Sequence, residues 1–256
     1  LAPRGIVCVN VGDATRTFED FRVYPNHVRV TRAFEERGFR SLPDVLWRKP
    51  ANRAAKFMGS GGMPPNAYVT LEHEHILVFR KDERDFEDAK RRYESAYFWE
   101  ERNEWFSDLW EVRGRQALSH DAGTRDRSGA FPFEVPYRLV CMYSVYGDTV
   151  LDPFLGTGTT TGESAVAGRN SVGYEVDDGL YERMGDATRL SREALDDRMD
   201  RHKGFVEDRG AEGFGHESTK YGFPVVTAQE RDVLFYEVEL VGRDGADDDT
   251  VYVASH

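Results

Sequence analysis

Apolar positions along the chain fall into short β-branched runs alternating with helical stripes, the rhythm of an α/β protein. Residues 5–11 alternate poorly but are apolar and β-branched, as in a central strand covered on both sides. Tyr24-Pro25-Asn26 opens a helix in which Val30, Ala33 and Phe34 share a face, and Gly38 stops it. Residues 44–48 and 75–79 read as two further strands. Between them, Lys49 to Pro65 has no aliphatic periodicity and holds Gly59, Gly61 and Gly62, so it reads as one long loop. Residues 82–127 are densely charged, with Tyr93, Tyr97, Phe98, Trp99, Trp105, Phe106 and Trp110 at helical spacing, the pattern of a small helical core. Strands follow at 148–152 and 170–175, then a helix through Leu190, Leu195 and Met199 with Ser191 as a candidate cap. A glycine-rich stretch, 204–215, leads to two β runs, 233–241 and 250–254, joined by Arg243 to Asp247 as a hairpin.

The chemistry concentrates where the strand at 148–152 stops. Asp152 sits at the carboxyl edge of a parallel sheet, where ligands of open α/β sheets bind. Gly156 and Gly158 allow a tight, positive-φ turn and close backbone approach, and Thr159 or Thr160 can cap the following helix. Glu175 ends the next strand about 20 residues after the turn begins, a spacing that suits an acid on ribose hydroxyls. Pro153 and Phe154 stand where a dinucleotide fingerprint has glycine, and proline offers no N–H to an anion, which disfavours a pyrophosphate. From these residues alone, a strand pair whose acids merely cap helices fits equally well. Leu71-Glu72-His73-Glu74-His75 invites a zinc reading, but on a strand His73 and His75 face opposite to Glu72 and Glu74, and no third ligand is evident. The run is assigned a structural role. Cys8 and Cys141 read as buried free thiols.

Asp152-Pro153-Phe154-Leu155-Gly156-Thr157-Gly158-Thr159-Thr160 resembles the S-adenosylmethionine loop of DNA amino-methyltransferases, which act on cytosine N4 or adenine N6. Phe131-Pro132-Phe133-Glu134-Val135-Pro136 is similar to their Phe-Pro-x-x-x-Pro segment. The cofactor motifs come after residue 130, as in the permuted beta group of that family. The resemblance implies a Rossmann-like methyltransferase fold with a helical insertion and a C-terminal β-hairpin extension. It divides the chain into a catalytic half (1–81), a target-recognition insertion (82–127), a cofactor half (128–203) and an accessory extension (204–256). It places Asp152, Pro153, Phe154, Gly156, Gly158 and Thr159 on the cofactor's amino-acid end and backbone cradle, Glu175 on its ribose, and Phe131, Pro132 and Pro136 along the pocket. The implied reaction is methyl transfer to an exocyclic amine of an extruded base in double-stranded DNA, with cytosine N4 slightly ahead of adenine N6. A cognate restriction endonuclease is the further partner such enzymes suggest. The family's Ser/Asp-Pro-Pro-Tyr tetrapeptide does not occur in these 256 residues. Arg4 to Asp13 resembles the strand downstream of it, with Asn10, Gly12 and Asp13 at the substrate side or in a plain turn. The expectation is therefore an N-terminal truncation whose catalytic motif belongs upstream of Leu1, incompetent alone and with no catalytic residue to name. A non-enzymatic remnant and an RNA or small-molecule methyltransferase are the rival readings.

Composition adjusts this picture. With 39% hydrophobic residues the chain can bury a sizeable core, and the absence of a signal-like N-terminus or a membrane-spanning apolar run suggests a cytoplasmic protein. A net charge of −12 opposes general phosphate binding, so duplex contacts are expected from local clusters: Lys49, Arg53 and Lys56 on the glycine-rich loop, and Arg113, Arg115 and Gln116 in the insertion. The excess of arginine over lysine and the acidic tail Asp247-Asp248-Asp249 suggest a halophilic source. No metal is expected.

Overall fold

The computed structural model describes residues 5–17, 20–48, 58–59, 63–65, 67–81, 88–112, 132–181, 190–210, 213–236, 240–244 and 251–255. The chain divides into two compact units, one made of residues 1–85 with 106–113, the other of 86–105 with 114–256.

In the first unit, β1 (Ile6–Val11), β4 (Arg40–Arg48), β7 (His73–Arg80) and β8 (Leu109–Trp110) form a sheet in the order β1-β7-β4-β8. β7 pairs antiparallel with both β1 and β4, while β8 lies parallel to β4. The continuous buried run Ile76, Leu77, Val78 and Phe79 makes β7 the interior strand. β1, expected to be central, is an edge strand among the described residues and is half-buried throughout. The β4–β7 register shifts between Leu42 and Val45, where Pro43 cannot donate to the ladder. A hairpin of β2 (Ala14–Thr17) and β3 (Phe21–Tyr24) leaves the end of β1. β5 (Met58–Gly59) pairs with β6 (Ala67–Tyr68), so the segment read as loop through residue 65 contains a strand at its far end.

Helix α1 (Asn26–Glu35) begins at Pro25, whose side chain cannot cap it. The Asp13 carboxylate supplies the cap from outside, accepting the His27 backbone N–H at 3.1 Å. Phe34 stacks on Phe79 at 4.4 Å and docks the helix on the sheet. Gly38, at φ 81°, ends it.

The second unit holds α2 (Ala89–Glu94), α3 (Trp99–Trp105), α4 (Glu134–Tyr143), β9 (Thr149–Asp152), α5 (Thr159–Val166), β10 (Asn170–Gly173), the one-turn α6 (Asp178–Tyr181) and α7 (Leu190–Arg209). Short pairs follow: β11 (His216–Glu217) with β12 (Pro224–Val225), and β13 (Leu240–Asp244) with β14 (Val251–Ser255). Trp105, Tyr137, Val140, Cys141 and Ala167 form its core, reinforced by Tyr97, Phe133 and Val150.

α2 and α3 belong to the second unit, while β8 completes the sheet of the first. Phe98, Trp105 and Trp110 are fully buried, whereas Phe106 is half exposed. The expected accessory extension also contributes buried Val225, Glu230 and Val233 to the second unit. α7 packs on α5, runs through Gly204 to Arg209, and contains Ser191 instead of being capped by it. Cys141 is buried but Cys8 only partly so, and both are free thiols. No described helix is long and apolar enough to cross a membrane.

Candidate cofactor site

β9 and β10 run parallel, with Asp152 opposite Gly173 at their carboxyl ends. Past this edge the chain is tied tightly to itself. Asp152 Oδ1 accepts the Phe154 N–H at 2.9 Å and Oδ2 accepts the Thr160 hydroxyl at 2.6 Å, so one carboxylate holds the start of the loop and the start of α5. Across the edge, the Leu155 N–H donates to Tyr174 and the Tyr174 N–H to Asp152, both at 3.0 Å. Gly173 has no room for a side chain, because a Cβ would lie 2.5 Å from Leu155.

Gly156 and Gly158 both take left-handed backbone, φ 59° and 81°, as the turn reading requires. Gly158 is itself the N-cap of α5, without any side-chain cap, and Thr159 is the first helical residue. The expected threonine cap is therefore absent: the Thr160 hydroxyl is spent on Asp152 instead. The leading amides of α5 have no side-chain acceptor and carry the positive end of the helix dipole, a setting for an anionic group.

Glu175 stands two residues beyond β10. It accepts the Gly156 N–H at 2.7 Å, Val176 at 2.8 Å and Asp177 at 2.9 Å. The Asp177 and Gly156 amides, with Val176 adding to them, outweigh desolvation and hold its carboxyl below the ordinary value. A carboxylate offers about four lone-pair sites, so with three used Glu175 stays ionised and can take one further donor.

Two apolar side chains flank this acid in the open, Phe154 at 87% exposure and Val176 at 99%. Val176 escaped the sequence reading. Its signal was a lone β-branched residue between Glu175 and Asp177, with no periodic partner. Pro153 is exposed in the turn. Pro132 accepts the Val135 N–H at 3.1 Å and is half-buried, while Pro136 is buried in the first turn of α4, which packs on α5. Phe131, Lys49, Arg53, Lys56, Arg113, Arg115 and Gln116 lie outside the described residues.

A second constellation lies beside the sheet of the first unit. Asp13 grips the His27 ring at 2.8 Å, and the His27 and His75 rings stack at 4.0 Å. Burial pushes the Asp13 carboxyl up, but hydrogen bonds from His27 overcome it and leave the group below its ordinary value. Third and fourth partners for the His73–His75 run thus exist, far away in sequence, and donor atoms of Asp13, His27 and His75 lie within 4.8 Å of one another. The two imidazoles are 12° from parallel, so a metal lying in the plane of one ring would sit off the plane of the other.

A parallel strand pair with Asp152 ending one strand, Glu175 just beyond the other and a two-glycine turn between them gives this α/β protein a candidate nucleotide-type cofactor site. The chain belongs to the N6/N4 methyltransferase family of DNA methylases, whose model matches residues 1–185. It is 50% identical over 246 residues to the type II methyltransferase M.MthZI of Methanothermobacter thermautotrophicus, covering 92% of this chain and 68% of the relative. With M.MjaI of Methanocaldococcus jannaschii, also a type II methyltransferase, it shares 51% identity over 183 residues, 70% of this chain and 60% of that protein. Among solved structures it is similar to TTHA0409 of Thermus thermophilus, provisionally assigned as a DNA modification methylase and solved with S-adenosyl-L-methionine. The TM-score is 0.57 at 28% identity, over 77% of this chain and 71% of the other.

Proposed function

We propose that the chain binds S-adenosylmethionine at the β9–β10 edge and serves methyl transfer to an exocyclic amino group of a base in duplex DNA. The observation that carries this reading is the Asp152–Thr160 loop tied to Glu175, with two left-handed glycines and uncapped helix amides between them. The cofactor, when bound, supplies an electrophilic methyl group. Its carboxylate suits the leading amides of α5, and a ribose hydroxyl suits the remaining acceptor site of Glu175. Phe154 offers a flat apolar face and Val176 a branched apolar contact to a purine ring beside that sugar. Asp152 acts one step back, positioning the loop through Phe154 and Thr160.

Calorimetric titration of the chain with S-adenosylmethionine tests the site. Glu175→Ala should weaken binding by one charge-assisted hydrogen bond, about 1.5–3 kcal/mol. An equal dissociation constant in the variant would put the ribose elsewhere, and the absence of heat in the unaltered chain would remove the site altogether.

A further inference from the structure

The β2–β3 hairpin carries a charge arrangement that its own fold does not explain. In its antiparallel register Arg16 stands directly opposite Arg22, so two guanidinium groups leave the same face of a two-stranded ribbon. Like charges in directly opposite positions are destabilising. Both side chains are exposed, and among the described residues neither is in salt-bridge range of a carboxylate, although Asp20 adds to the field at Arg22. In a chain of net charge −12, juxtaposed arginines without a paired acid point to an anion from outside.

The pair is also held ready. Arg22 donates from Nε to the Tyr24 hydroxyl at 3.0 Å and lies over that ring at 5.2 Å, which leaves its two terminal nitrogens for a forked contact. Arg16 spends one terminal nitrogen on the Thr15 carbonyl at 2.9 Å. On the opposite face Phe21 stacks on Tyr68 at 4.4 Å and backs the ribbon. Both ends of the hairpin are clasped at its base: Asn26 donates to the Gly12 carbonyl at 2.9 Å, and Asp13 holds the His27 backbone and ring. The Asp13–His27–His75 stack thereby serves as the root of this arm.

We infer that the hairpin is a phosphate-binding arm, with Arg16 and Arg22 together gripping the sugar-phosphate backbone of the duplex. The inference rests on the DNA-methylating reading above and assigns it a contact. Guanidinium groups match phosphate oxygens in pairs, and cross-strand neighbours are close enough to serve one phosphate or two successive ones.

Equilibrium binding of the full chain to a DNA duplex, measured over a series of salt concentrations, tests it. Each phosphate contact contributes about one to the slope of log affinity against log salt, so Arg16→Ala/Arg22→Ala should lower the slope by about two and weaken all sequences alike. Arg16→Lys/Arg22→Lys should keep the slope while losing part of the affinity, and the S-adenosylmethionine titration should be unchanged in both. A double-alanine slope equal to that of the unaltered chain would overturn the arm while leaving the methylase reading standing. If the unaltered chain bound no duplex at any salt, the DNA reading itself would fall and the arm with it, whereas the cofactor titration would still report its own site.

Discussion

Glu101 and Arg198 show how much can depend on one pair of side chains. Both are 7% exposed and meet through two hydrogen bonds of 2.7 and 2.8 Å, while Glu101 also accepts the Phe98 N–H at 2.8 Å. The guanidinium lies over Phe98 at 5.2 Å and Phe235 at 5.1 Å, so two segments distant from its own helix converge on it. A buried pair of this kind adds little net stability over an apolar replacement, yet removing one partner strands a charge in a medium that cannot solvate it. Arg198→Met should therefore cost about 3–5 kcal/mol in denaturant unfolding. Adding Glu101→Gln, which removes the stranded charge and still accepts the Phe98 amide, should recover part of that loss. A double variant as unstable as the single one would mean that packing around Phe98 and Phe235, rather than charge, sets the penalty.

Helix α5 carries the corresponding problem at the level of an element. It must start at the cofactor loop, and its far face must enter the core, which leaves Glu163 at 1% exposure with Oε2 unpartnered. Burial, then the nearby charge of Glu134, pushes the Glu163 carboxyl well above its ordinary range, so the folded protein keeps it protonated. The sign follows directly. Above the unfolded value near 4.5 the unfolded chain releases a proton that the folded chain retains, so stability falls as pH rises toward the folded value, by up to about 1.4 kcal/mol per pH unit. Glu163→Gln removes the titration, and its advantage in melting temperature should grow as the pH is raised above about 5. A constant difference across that range would show that Glu163 is ionised in the fold. The local elements around this helix were legible in the sequence because strand ends, glycines and acids are local signals: Asp152, Gly156 and Gly158 fall at the strand edge and turn where spacing put them, and Glu175 falls two residues past its strand. What was not legible depends on distant contacts. The edge position of β1 is set by which strand β7 pairs with, the cap of α1 comes from Asp13, and α7 continues through Gly204 because His202 bonds Glu100 at 2.7 Å and the Pro224 carbonyl at 3.1 Å. Those contacts offset the roughly 1 kcal/mol that glycine costs a helix.

For the whole molecule the governing quantity is the imbalance of 46 acidic against 34 basic residues. A polyanionic duplex approaching a chain of net charge −12 meets repulsion that is felt over about one Debye length, ~8 Å at physiological salt, and attraction only where arginines such as Arg16 and Arg22 are presented locally. Salt acts on these two fields in opposite directions. Screening the net charge speeds encounter, while competing with guanidinium–phosphate contacts loosens the complex once formed. Rate measurements on a duplex between about 50 and 200 mM salt should therefore find the loss of affinity mainly in faster dissociation, with the association rate nearly flat. A basic protein steered by its overall field behaves in the opposite way, its association rate falling steeply over the same interval. A steep fall here would mean that the duplex is captured by an extended positive face, and that a two-arginine arm is too small a part of the contact to control binding.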